Sequence, residues 1–320
     1  MACSSVLDVI GNTPSVWLDR LTAQAGVSGR ILAKLDYLNP GFSKKDRAAL
    51  GILDAAKDSG DLKLGQTVVE LTSGNMGTGL AIVCAIRGHP FVAVMSRGNS
   101  IERARMMSAL GAEVVLVPQA EGSVPGEVSG IDLALVEDEA QRLVTERGAF
   151  RADQFNHPGN RFAHETGTGP ELWRDSDGTL TAFVDFVGSG GSYGGTIRAL
   201  KAANPNLRGY VVEPAGAEVL SGKPVETPAH PIQGGGYAMA DLTQLHGAPI
   251  DGYLRVTGDA ARHAARHLAR TEGLFAGFSA GANLAAALEL LRETEQHGTI
   301  GIVLCDSGLK YLSTDLWPQG

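Results

Sequence analysis

TVVELTSGNMGTGLAIVCAIR, residues 67–87, holds a strand, a turn and a helix in one run. Thr67 to Leu71 is short, apolar and rich in valine, the pattern of a strand in a covered sheet. Thr72, Ser73, Gly74 and Asn75 carry turn chemistry. Asn75 to Arg87 then continues with small and apolar residues at helical spacing. A buried strand that feeds directly into a helix is half of a β-α-β unit, so the stretch predicts a mostly parallel α/β sheet.

The same alternation extends outward on both sides. Strands are expected at Ile31 to Leu35, Phe91 to Met95 and Glu113 to Val117, with helices at Ser43 to Ser59, Ile101 to Leu110 and from Asp132 to about Arg147. The second half repeats the pattern. Ala182 to Val187, Gly209 to Glu213, Tyr253 to Val256 and Thr299 to Leu304 read as strands. Gly194 to Ala203, Asp259 to Glu272 and Ala280 to Glu295 read as helices. The fold class is therefore α/β with doubly wound, mostly parallel sheets, whose ligands bind at the C-terminal ends of strands. Gln119 to Gly130 (QAEGSVPGEVSG) interrupts the pattern as a surface loop.

Composition narrows the function classes. A chain of 320 residues with 43% hydrophobic content can bury one large core or two smaller ones. The net charge of −8 and the lack of a long basic run argue against a nucleic-acid partner. No apolar run approaches the roughly 20 residues that span a bilayer, and the first residues do not read as a signal peptide. Cys3, Cys84 and Cys305 are far apart and odd in number, which suggests reduced thiols in the cytoplasm. The histidines show no metal-ligand spacing, and His263 with His267 reads as a solvated helix face, so no metal is expected.

Three strand-to-helix turns carry the chemistry. In NPGFSKKDR (Asn39 to Arg47) a Pro-Gly turn and Ser43 introduce a helix bearing Lys44 and Lys45. The two lysines point roughly 100° apart on a helix, so one can face solvent and the other a cleft. In ELTSGNMGTGLA (Glu70 to Ala81) hydroxyls, an amide and free backbone N–H groups gather at a helix N-terminus and form a cradle for a carboxylate. In VGSGGSYGG (Val187 to Gly195) a glycine-rich turn opens a helix whose N–H groups can cup a phosphate. Its GSGGS spacing does not match the dinucleotide fingerprint. A phosphate cup, a carboxylate cradle and a lysine on a helix together suit a pyridoxal phosphate enzyme.

These motifs carry a resemblance. The chain resembles the cysteine synthase and cystathionine β-synthase family, the fold-type II pyridoxal 5′-phosphate enzymes, nearly from end to end. IGNTP at Ile10 to Pro14, NPGFSKKDR, TSGNMG, NSIERARMMSALGAEV, DQFNHPGN, ETGTGPELW, GSGGS, EGLFAGFSAGANLAAAL and SGLKYLST each resemble a family motif, in the family's order. The resemblance implies a smaller domain of about 39–155 with the substrate loop. It implies a larger domain, about 1–38 plus 156–320, that binds the cofactor phosphate. It also implies a homodimer.

By the same resemblance Lys45, directly before Asp46-Arg47, holds the cofactor as an imine and acts as the base at the substrate Cα. Asn75 meets the cofactor ring oxygen. Gly188, Ser189, Gly190, Gly191 and Ser192 hold the phosphate, with Ser192 as the side-chain donor. Ser279 meets the pyridine nitrogen, and it also reads as the N-cap of the helix that follows. Thr72, Ser73, Gly74, Asn75, Met76 and Gln154 form the substrate site. Met76 stands where the family has threonine and is expected to leave an apolar wall beside the substrate. Cys305-Asp306 also departs from the family, and Asp306 is a rival to Ser279 at the ring nitrogen.

The implied reaction is β-replacement on an activated L-serine, O-acetylserine or O-phosphoserine, through an aminoacrylate. With sulfide as the small nucleophile it makes cysteine. The alternatives are another nucleophile giving a nonstandard amino acid, elimination to pyruvate, and a non-catalytic partner protein on the same fold.

Overall fold

The computed structural model describes residues 2–72, 74–99, 101–123, 130–227 and 230–318. The chain divides into two compact units, Met1–Ile10 with Lys45–Asn160, and Gly11–Lys44 with Arg161–Gly320.

The first unit holds Lys45–Ser59 (α1), Val68–Leu71 (β1), Asn75–Arg87 (α2), Phe91–Ser96 (β2), Ile101–Ala109 (α3), Glu113–Val117 (β3), Gly130–Arg147 (α4) and Phe150–Arg151 (β4). The four strands lie in the order β3-β2-β1-β4, and every pairing is parallel. Alternation along the strands sends side chains to opposite faces. Val68, Phe91, Ala93 and Met95 pack in one core with Ile52, Leu53, Leu80 and Met107 of α1, α2 and α3. Val69, Val92 and Val94 pack in a second core with Val136, Ala140 and Leu143 of α4. Both faces are covered, which is why these strands read as unbroken apolar runs.

The second unit holds Ser15–Trp17 (β5), Arg30–Lys34 (β6), Gly169–Asp175 (α5), Ala182–Phe186 (β7), Gly191–Ala203 (α6), Arg208–Pro214 (β8), Gly252–Val256 (β9), Gly258–Glu272 (α7), Phe278–Arg292 (α8) and Thr299–Val303 (β10). The short helix Asp19–Ala25 joins β5 to β6, and Pro158–Ala163 spans the passage between units. The sheet order is β5-β6-β10-β7-β8-β9, and only β5 with β6 is antiparallel. Ile31, Ala33, Val184, Phe186, Val212, Ile300 and Ile302 share a core with the apolar faces of α7 and α8.

The expectation of α/β with mostly parallel sheets is met. Helix starts differ from expectation by one to three residues at α1, α4, α6, α7 and α8. Helix α6 begins at Gly191, three residues before the expected Gly194. Helix α8 begins at Phe278, with Gly277 as its N-cap and no side-chain cap. Ser279 therefore lies inside the first turn of α8 and is not its cap. No helix among the described residues is long and apolar enough to cross a membrane.

Candidate active site

In the first unit the turn expected to cradle a carboxylate lies where β1 runs into α2. Thr72 follows the last strand residue, and its Oγ1 accepts the N–H groups of Gly74 and Gly77 at 3.0 and 2.9 Å. Gly74 is the N-cap of α2 at φ 139°, a conformation that favours glycine. Asn75 opens the helix, whose first N–H groups have no carbonyl ahead of them within the helix. Ser73 lies outside the described residues.

Lys45 is the first residue of α1 and is half-buried. Helix α2 packs directly on it. A Cβ at Gly79 would stand 3.1 Å from the Lys45 carbonyl oxygen and 3.1 Å from Asp46 Cα. The small residue lets the cradle helix lie against the backbone that carries the lysine. Gln154 joins from the far side of β1. Its Nε2 donates to the Leu71 carbonyl at 3.5 Å, and its own carbonyl accepts Asn160 Nδ2 at 2.6 Å. Lys45, Thr72, Gly74, Asn75 and Gln154 are thus brought to one end of the sheet.

Met76 follows Asn75 in the first turn of α2. Its side chain is 2% exposed and belongs to the core that α1, α2 and α3 share. The helical turn that sends Asn75 outward rotates Met76 inward by about 100°. Its side chain packs in the interior of the first unit.

In the second unit the turn expected to cup a phosphate follows β7. Gly190 is the N-cap of α6 at φ 86°, and no acidic residue occupies the first turn of that helix. Ser192 Oγ is buried and has no hydrogen-bond partner. A buried hydroxyl left so costs about 1–3 kcal/mol, and an anion at the helix N-terminus would satisfy it. The cup has a second wall that the sequence reading missed. Gly236 N–H donates to the Val187 carbonyl at 2.9 Å, and a Cβ at Gly188 would meet the Gly234 carbonyl oxygen at 2.6 Å. The Gly-Gly-Gly run at 234–236 was its only sequence signal.

Helix α8 brings Ser279 to the same end of this sheet. One turn later Asn283 ties the helix to β7: its Oδ1 accepts the Phe186 N–H at 2.6 Å, and its Nδ2 donates to Asp185 at 3.2 Å. Asn283 was also missed, although a lone amide in an apolar helix is a signal of a buried bond. Asp306 turns its carboxylate to the Tyr311 hydroxyl at 2.6 Å. Burial pushes the Cys305 thiol up to about 12 despite the Lys44 ammonium, so it stays neutral.

Lys44 is not a solvated lysine. Its side chain is 11% exposed and its Nζ contacts Asp185 at 2.9 Å. Burial opposes the charge, but the Asp185 carboxylate outweighs it and holds the ammonium well above the ordinary lysine range. Lys44 is committed to an ion pair inside the second unit.

The residues fit a phosphorylated cofactor: a glycine-lined helix N-terminus, a buried hydroxyl without a partner, and a lysine at the head of a helix. A family model described as pyridoxal-phosphate dependent enzyme matches residues 6–306. The chain belongs to this family. Its cofactor is pyridoxal 5′-phosphate.

The pyridoxal-phosphate family member is also similar to individual proteins along its whole length. A cysteine synthase of Staphylococcus aureus (strain N315) is 38% identical over 314 residues, 98% of this chain and 96% of that protein. The crystal structure of an O-ureido-L-serine synthase matches with TM-score 0.88 at 36% identity, covering 100% of this chain and 98% of that one. An O-acetyl serine sulfhydrylase, isoform 3 from Entamoeba histolytica, matches with TM-score 0.90 at 33% identity, covering 100% and 94%.

Proposed function

We propose that the chain catalyses β-replacement on an activated L-serine, with O-acetylserine as the amino-acid substrate and sulfide as the nucleophile. The observation that carries this reading is the full-length likeness to cysteine synthases, joined to a carboxylate cradle that packs against the backbone of Lys45.

Each residue has a task in this reading. Ser192 and the first-turn N–H groups of α6 hold the cofactor phosphate. The amine of Lys45 is the attachment point and, once free, takes the proton from the substrate Cα. The N-terminus of α2 beside Thr72, with the Gln154 amide, holds the substrate carboxylate. Asn75 also meets the cofactor ring oxygen. Ser279 is assigned to the ring nitrogen; a neutral hydroxyl there does not stabilise a charge on it. When bound, the cofactor supplies the electron sink that lets the amino acid lose its α-proton and β-substituent. The segment of about 39–155 would serve the substrate, and 1–38 with 156–320 the cofactor phosphate. The likeness to an O-ureido-L-serine synthase favours one second reading, a nucleophile other than sulfide.

The chain is read as a cytoplasmic homodimer. Three free cysteines, two of them buried, support a reducing compartment, and light scattering tests the dimer. The activity test is purified protein loaded with pyridoxal 5′-phosphate and given O-acetylserine with sulfide. Cysteine formation is expected. Its absence, with O-acetylserine left unconsumed against a panel of amines and thiols as well, refutes the reading.

A further inference from the structure

Glu70 is the one acidic residue of β1, and its side chain is fully buried. Alternation points it to the same sheet face as Val68, which packs in the core of α1 and α2. Its carboxylate spends its oxygens on the last residue of β4 and on the segment beyond it. The Asp153 N–H donates to Oε2 at 2.7 Å and Arg151 Nε donates to the same oxygen at 3.2 Å. The Gln154 N–H reaches Oε1 at 3.5 Å.

This matters because β4 is only two residues long. After Ala152, whose N–H still reaches the Val69 carbonyl, the backbone leaves the ladder. Asp153 turns into the left-handed region at φ 47°, which a non-glycine residue enters only when its surroundings hold it there. The Glu70 carboxylate accepts the amide at that turn, replacing the missing strand partner. The residue that follows the turn is Gln154, and the residues that follow Glu70 are Leu71, the last of β1, and Thr72.

We propose that Glu70 is a positioning residue for the amino-acid substrate: its buried carboxylate fixes the Asp153 turn and so aims Gln154 beside the Thr72–Asn75 cradle. The proposal rests on the assignment of Gln154 to the substrate carboxylate. Glu70 touches no substrate. It holds two arms of the cradle in register, one through its own strand and one through the Asp153 amide.

Titration supports the arrangement. Burial raises the Glu70 carboxyl to about 7, against the pull of Arg151 and the Asp153 amide and with the help of the Asp153 carboxylate. Arg151 is shared with Glu137 of α4, which pairs with it at 2.9 Å. The groups around the carboxylate are N–H donors. A protonated Glu70 would put an O–H among them and loosen the turn.

The test uses the cofactor-loaded enzyme and Glu70→Gln, with Glu70→Asp as a charge-keeping variant of shorter reach. L-Serine is titrated against the cofactor absorbance, and amide hydrogen exchange is followed at residues 153 and 154. In Glu70→Gln the L-serine affinity should fall roughly tenfold or more and exchange at both amides should speed by a similar factor, while cofactor affinity stays unchanged. Glu70→Asp should fall between the two.

A folded, loaded Glu70→Gln with unchanged exchange and L-serine affinity overturns the proposal. If Glu70→Gln does not fold, Glu70→Asp decides: its shorter reach should speed exchange at 153 and 154 and weaken L-serine binding, and unchanged exchange overturns the role. A wild type whose cofactor absorbance ignores both L-serine and O-acetylserine removes the amino-acid reading, and the exchange measurement still judges Glu70.

Discussion

The Lys44 ammonium lies 2.9 Å from each carboxylate oxygen of Asp185. Next along the chain comes Lys45. One lysine is spent on a buried ion pair and the other opens a helix against the cradle. Borohydride reduction of the loaded enzyme and peptide mapping should therefore place the pyridoxyl group on Lys45. A label on Lys44 would sink the assignment.

The pair also sets a stability expectation. Lys44→Met leaves Asp185 buried without its cation and should cost about 3–5 kcal/mol in denaturant unfolding. Lys44→Met combined with Asp185→Leu should recover most of that loss. Because the folded Lys44 pKa is raised, its contribution is fully present below the ordinary value of 10.5 and is lost as pH rises beyond it. The double variant should lack this alkaline loss.

Ser192→Ala should move two quantities in opposite directions. Without cofactor the variant should be as stable as wild type or up to about 1 kcal/mol more stable, since a buried hydroxyl without a partner is removed. Its affinity for pyridoxal 5′-phosphate should fall roughly tenfold, because a donor to a charged group is gone. A destabilised apo form with normal cofactor affinity would show that the hydroxyl serves the fold instead.

Gly74→Ala tests the cradle. At φ 139° a side chain is strained, and the new Cβ would stand 2.5 Å from Arg103 Cδ. Amino-acid binding should fall at least tenfold, with a stability cost of about 1–3 kcal/mol. Gly88→Ala, at φ 74° with nothing within 4 Å, is the control. It should cost about 1 kcal/mol and leave amino-acid binding alone. Equal effects on binding would mean that the Gly74 turn has no special part in it.

Met76→Thr separates packing from specificity. A buried methionine exchanged for a smaller residue with a hydroxyl should lower stability by about 2–4 kcal/mol. The ratio of specificity constants for several activated serines should stay within about twofold. A shifted ratio at unchanged stability would return Met76 to the substrate site.

Much of this was legible in the residues. Helix Asn75–Arg87 and strand Glu113–Val117 match the expected bounds at both ends. Hydrophobic period is a local signal, and the capping glycine after Arg87 is local too. The two-residue strand Phe150–Arg151 and the short Ser15–Trp17 escaped notice because such strands exist only through pairing with distant partners. The glycine-rich start of α6 read as turn, because glycine has low helix propensity and only packing makes it helical there.

The sequence by itself determined the parallel α/β class, the cofactor family and the order of the turns that bear the chemistry, since each rests on residues adjacent in the chain. Tertiary structure alone decided which charges are committed and which side chains face inward. Lys44 meets Asp185 across 141 residues, Glu70 meets the Asp153 amide across 83, and Met76 turns into a core drawn from three helices. Electrostatic pairing and burial depend on distance in space, which separation along a chain does not encode.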